Sequence, residues 1–172
     1  ERCPNVDVQF ITVRTQGDIL QNVSLSQIGG TGVFVKEIEA ALLAEAIDLA
    51  VHSLKDLPLL QPPGLIIGAV CQREDPRDVL LTSGPDGLDA LPRNAVVGAG
   101  SLRRKAQLLA YRPDLTVRDI RGNVDTRLRK LQQGDYDAVV LAAAGLKRLG
   151  YLIRESQYLP LDVMLPAVGQ GA

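Results

Sequence analysis

The 172-residue chain is 46% hydrophobic and 23% charged, with a net charge of −1, a globular composition that excludes disorder and argues against nucleic acid or an anionic membrane as main partner. A single histidine makes a His-based metal site or a Ser-His-Asp triad hard to build, and two cysteines without metal-like spacing, Cys3 and Cys71, point to a reducing compartment. The longest apolar run, 138–144, is far too short to span a bilayer; no leader is visible, and the chain opens at Glu1 in mid-flow.

In chain order, residues 6–13 (V-D-V-Q-F-I-T-V) mix alternation with β-branched side chains and predict a strand ending in Thr15-Gln16-Gly17-Asp18, which sets the Asp18 carboxylate at a strand tip. Gly29-Gly30-Thr31-Gly32 precedes a helical pattern over 33–46 with Phe34, Ile38, Ala41 and Leu42 on one face. Glycines ahead of a helix let backbone N–H groups approach an anion; equally, they just permit a tight loop. The apolar residues Ile47, Leu49, Ala50 and Val51 predict a buried strand that stops at His52, Ser53, Lys55 and Asp56 before Pro58 forbids a ladder. Ligands of open α/β sheets bind at such carboxyl ends, although a neighbouring Lys-Asp pair alone is an ordinary solvated couple.

Pro62-Pro63-Gly64 turns the chain into an expected buried strand over 65–71, which would bury Cys71. The charged segment 73–78 is read as unable to lie in a core, and 79–82 as extended. Strands are expected over 95–98, 115–120 and 138–142, alternating with helices over 102–111 and 124–133 and a short helix around Gly145-Leu146-Lys147-Arg148. This spacing implies parallel βαβ units, so three tips (101–104, 121–127 and 142–148) face one side. Ser101 would cap the helix over 102–111, whose inward face is predicted as Leu102, Ala106 and Leu109. Arg103 and Arg104 in its first turn oppose the helix dipole, and the expected relief is a bound anion; arginines decorating a solvated face are the bland alternative.

The segments V-H-S-L-K-D-L-P, R-E-D-P-R-D, G-S-L-R-R, R-G-N-V-D-T-R-L, D-A-V-V-L-A-A-A-G-L-K-R-L-G and L-P-A-V-G-Q-G-A, in this order over nearly the whole chain, resemble the porphobilinogen deaminase (hydroxymethylbilane synthase) family. The resemblance implies an α/β fold of two similar lobes, with mostly parallel sheets flanked by helices, of the periplasmic-binding-protein type and with a cleft between the lobes. It places the first lobe at 1–72, without its opening strand and helix, the second at 77–165, and a return crossing to the first at 166–172. A third, cysteine-bearing domain is expected outside these residues. The resemblance also implies a monomeric transferase, cytoplasmic or plastid, with no nucleic-acid or membrane partner. It joins four molecules of porphobilinogen, with loss of ammonia, on a dipyrromethane cofactor held by a cysteine. Neither Cys3 nor Cys71 has the context of that cysteine, so this stretch alone is expected to be inactive.

On the same resemblance Asp56 is the catalytic carboxylate, stabilising near the pyrrole nitrogen the azafulvenium cation left when ammonia departs. Ser53, Lys55, Ser101, Arg103, Arg104, Arg121, Arg127 and Arg148 would hold acetate and propionate groups of cofactor and substrate. Asp18 is a weaker candidate lining the cleft, His52 a packing residue, and no metal is implied. Guanidinium forks suit the task, since they bind carboxylates bidentately and stay charged. The sequence departs from the family pattern at Gln27 and Thr31, where lysines are usual, and at Ala99 and Gly100, where hydroxyls are usual. A non-catalytic polycarboxylate-binding module on the same scaffold is the other reading. A buried Asp56 at the centre of a positive cleft would separate the two, because a pure binder has no use for it.

Overall fold

The computed structural model describes residues 6–15 and 35–172. In chain order it contains helix α1 (Lys36–Leu43), a 3-10 turn at Leu54–Asp56, strands β1 (Asp78–Thr82) and β2 (Val96–Gly98), helix α2 (Leu102–Tyr111), β3 (Thr116–Arg118), α3 (Val124–Gln132), β4 (Ala138–Ala142), α4 (Ala143–Arg148) and a 3-10 turn at Glu155–Gln157. The strands form one sheet in the order β1-β4-β2-β3. β2, β3 and β4 run parallel, while β1 lies antiparallel against β4. β4 therefore has a neighbour on each side and packing on both faces, which is why its sequence is continuously apolar. The pleat's period of two reappears in the packing. Leu80, Ala138 and Val140 join a cluster with Leu108 of α2 and Met164, whereas Val79, Val139 and Leu141 join one with Leu131 of α3 and Leu146 of α4.

The helices start where local chemistry allows. Asn123 caps α3, its Oδ1 accepting the Thr126 N–H at 2.9 Å. Gly122 before it sits at φ +106°, where a Cβ would meet Thr126 Cγ2 at 2.5 Å. The buried residues of α2 are Arg104 and Leu108, a stripe different from the expected one: Leu102 is 69% exposed and Ala106 is also exposed, with Leu109 half-buried. Arg104 reaches the sheet edge with its guanidinium, and that anchor decides which face of the helix turns inward.

The strands expected over 6–13, 47–51 and 65–71 are not formed. β-Propensity produces a strand only where a neighbour completes the ladder and covers a face, and among the described residues these runs pair with none. Phe10, Val51 and Ile66 consequently face solvent at 92%, 91% and 88% exposure, and Cys71, expected to be buried, is exposed. The helix expected over 33–46 is described over Lys36–Leu43 and contains no buried residue.

Candidate functional site

Because β2, β3 and β4 are parallel, their carboxyl ends share one edge of the sheet, and the chain enters α2, α3 and α4 from there. β1 meets this edge from the opposite direction, since its first residue, Asp78, pairs with Ala142 at the end of β4. The antiparallel strand thus delivers a carboxylate to the place where the parallel strands deliver helix starts and their arginines.

Asp78 is fully buried. Arg103 Nη2 donates to its Oδ2 at 2.7 Å, while Arg104 Nη2 and Gln170 Nε2 donate to Oδ1 at 2.6 and 2.9 Å. Burial alone would raise this carboxyl, but Arg104 and Arg103 outweigh it and hold it below the usual carboxylate range. Arg104 is itself buried; its Nη1 donates to the Val140 carbonyl at 3.1 Å, and its buried Nε has no hydrogen-bond partner. Arg103 donates from Nη1 to the Leu165 carbonyl and keeps a quarter of its side chain exposed.

Two sequence expectations change here. The positive charge at the start of α2 already meets an internal anion, Asp78, before any ligand is considered. The segment 73–78, read as unable to enter a core, ends inside one, because two guanidiniums and an amide satisfy the buried carboxylate. Sequence reasoning does not single out Asp78 or Gln170. Both stand inside the quoted motifs R-E-D-P-R-D and L-P-A-V-G-Q-G-A, but a carboxylate in a charged run reads as solvated until its strand pairing is known.

The Lys55–Asp56 turn joins this edge through residues 169–172. Leu54 N donates to the Ala172 carbonyl and Glu74 N to that of Gly171, each at 3.0 Å; Arg148 Nη2 also donates to Gly171 O, at 2.8 Å, and Arg73 Nε to Gln170 O at 3.0 Å. Burial, followed by the charge of Arg104, pushes the Lys55 ammonium below its usual range, with Asp56 and Asp78 opposing and Arg127 adding to the effect. Burial, Arg104 and Arg121 likewise push Arg127 down to about 10 against the pull of Asp56, which leaves it protonated at neutral pH. Lys55, Asp56, Arg104, Arg121 and Arg127 therefore share one electrostatic neighbourhood. Arg127 is anchored by its Nε, which donates to Gly122 O at 2.8 Å, and its guanidinium lies against Gly100. A Cβ at position 100 would come 3.4 Å from Arg127 Nη1 and 2.8 Å from the Ile120 carbonyl oxygen, so this backbone has no space for the hydroxyl side chain that the family pattern suggests.

The other candidates are placed as follows. Asp56 closes the 3-10 turn and is exposed rather than buried, as is Ser53. The His52 ring donates to the Ser53 carbonyl at 3.0 Å. Ser101 is the N-cap residue of α2 with extended backbone, but its hydroxyl makes no capping bond. Asp18, together with Cys3, Gln27 and 29–32, lies outside the described residues. Among the described residues no group of His, Cys, Asp and Glu could hold a metal ion, and no helix is long and apolar enough to cross a membrane. Lys55, Arg103, Arg104 and Arg127 outnumber Asp56 and Asp78 in this neighbourhood. An anion with several carboxylates fits that surplus.

A family model described as "Porphobilinogen deaminase, dipyromethane cofactor binding domain" matches residues 1–172. Relatives named porphobilinogen deaminase include that of Geobacillus kaustophilus, 61% identical over 161 residues, covering 92% of this chain and 52% of the relative. That of Nitratidesulfovibrio vulgaris is 54% identical over 169 residues, covering 98% and 53%, and that of Brevibacillus brevis is 53% identical over 169 residues, covering 98% and 55%. The chain spans about half the length of these curated relatives.

Proposed function

We infer, since this chain belongs to the porphobilinogen deaminase family, that it forms the cofactor- and substrate-holding part of a hydroxymethylbilane synthase, the transferase that joins four porphobilinogen molecules with release of ammonia in tetrapyrrole biosynthesis. The observation that carries this reading is the strap 169–172, which accepts the Leu54 N–H at Ala172 at 3.0 Å and reaches Asp78 through Gln170 at 2.9 Å, so that Lys55 and Asp56 share a field with Arg104 and Arg127. Dipyrromethane, when bound, supplies the primer to which the pyrrole rings are joined. Arg103, Arg121 and Arg127 hold acetate and propionate groups through charge-assisted hydrogen bonds, and the buried Arg104 adds its charge to the field there. Lys55, Ser53, Ser101 and Arg148 extend the contact surface, and Asp18 is the remaining candidate. Asp56, exposed beside these cations, stands against the pyrrole nitrogen and stabilises the positive charge that develops when the aminomethyl group loses ammonia. The non-catalytic alternative draws no support from the relatives, all of which carry the enzyme's name.

The same reading arranges the chain as two lobes of the periplasmic-binding-protein type, at 1–72 and 77–165, with 166–172 returning to the first. The hydrogen bond that the Leu54 N–H donates to the Ala172 carbonyl supports that return. We place the enzyme in the cytoplasm, or in a plastid for a plant or alga, as a monomer with no nucleic-acid or membrane partner. Calorimetric titration of porphobilinogen into this chain tests the reading: binding should weaken with added salt and fall sharply in Arg127→Leu. Undetectable or salt-independent binding would contradict it. The 172-residue chain alone should release no ammonia catalytically, and a stable adduct on Cys3 or Cys71 would mean that the primer's place has been misassigned.

A further inference from the structure

The proposed chemistry uses the arginines and leaves unused the buried carboxylate they bracket. Two adjacent guanidiniums in the first turn of a helix repel one another and the helix dipole. Asp78 takes one nitrogen from each on separate oxygens, and each guanidinium has a second anchor on a backbone carbonyl, Leu165 for Arg103 and Val140 for Arg104. Gln170 completes the arrangement. Its amide nitrogen donates both to Asp78 Oδ1 at 2.9 Å and to the Pro76 carbonyl at 2.6 Å, and the segment it belongs to accepts the Leu54 N–H at Ala172. One carboxylate is thus the common anchor of the α2 arginines and of the strap beside Lys55.

We propose that Asp78 is a positioning residue of this site, a buried counter-anion that fixes the Arg103 and Arg104 guanidiniums and, through Gln170, the 169–172 strap, without itself touching substrate. The proposal rests on the polycarboxylate reading above and extends it to selectivity. A partly exposed Arg103 guanidinium held in one orientation, with the buried Arg104 charge fixed beside it, matches a pyrrole carboxylate in one pose, whereas arginines released from Asp78 attract any small anion more strongly and discriminate less. Porphobilinogen and inorganic sulfate titrated separately into wild type and Asp78→Asn read this directly. In the variant the porphobilinogen Kd should rise about tenfold or more while the sulfate Kd stays level or falls. Equal weakening of both ligands, as general loosening of the fold would give, or an unchanged ratio, would overturn the proposal. A measurement on wild type guards against a variant that does not fold: nitrogen-15 NMR of the arginine side chains should show separate, slowly rotating Nη signals for Arg103 and Arg104 without ligand. Rotationally averaged signals would overturn Asp78 as the element that fixes them. Failure of wild type to bind porphobilinogen refutes the functional reading instead, so the two failures are distinguishable.

Discussion

Arg104→Leu removes two hydrogen bonds from the sheet edge and leaves the buried Asp78 carboxylate short of its closest partner. Breaking one side of a buried pair costs about 3–5 kcal/mol, so denaturant unfolding of this variant should show a large loss of stability. Arg127→Leu abandons only a carbonyl contact at Gly122 and should lose ligand affinity more than stability; comparable destabilisation of both variants would contradict this division. The pairing also has a pH signature. The folded carboxyl of Asp78 lies below its unfolded value, so its contribution is present above the ordinary carboxylate pKa of about 3.9 and disappears as pH falls through the lower folded value. The stability gap between wild type and Asp78→Asn should therefore narrow in acid, and a gap constant down to the acid transition would count against it. Lys55, Asp56 and the arginines are legible in the sequence because they interrupt apolar runs at regular intervals. Asp78 is not, because its partners arrive from 25 and 26 residues away and from position 170.

At the level of elements, the backbone around the β2 tip explains a departure that sequence comparison reads as a lost contact. Gly100→Ser would place Cβ 2.8 Å from a backbone carbonyl that cannot move aside cheaply, a crowding worth about 1–3 kcal/mol. Thermal unfolding should show a lower Tm rather than a better-held anion; an unchanged Tm would show that the loop relaxes. Asn123→Ala should cost about 1 kcal/mol through loss of the α3 cap, checked by the same measurement. The extents of α2 and β4 are legible from the sequence, since each couples a clear period with a clear stop. The inward face of α2 is not, because Arg104 counts as polar in any hydrophobic pattern yet is buried by its bond to Asp78.

At the scale of the molecule, the packing among the described residues is concentrated in the sheet unit from Val79 to Met164, while 6–13, 47–51 and 65–71 form no ladder among them. Hydrogen exchange should accordingly protect the amides of β1 and β4 most strongly and those of 65–71 least; equal protection would mean that the earlier segments are paired in solution. This contrast was not legible, because alternation and β-branching state what a segment can do and not whether a neighbour completes it. The central claim joins both parts: we propose that the exposed Asp56 carboxylate, the half-buried Lys55 and the arginine edge act as one catalytic site. It is tested most directly by ammonia release from porphobilinogen in a full-length deaminase containing this sequence, comparing wild type with Asp56→Asn at matched folding. The account predicts a fall of roughly 10²-fold or more in turnover, the scale for losing a preorganised electrostatic partner, whereas near-normal turnover would contradict it.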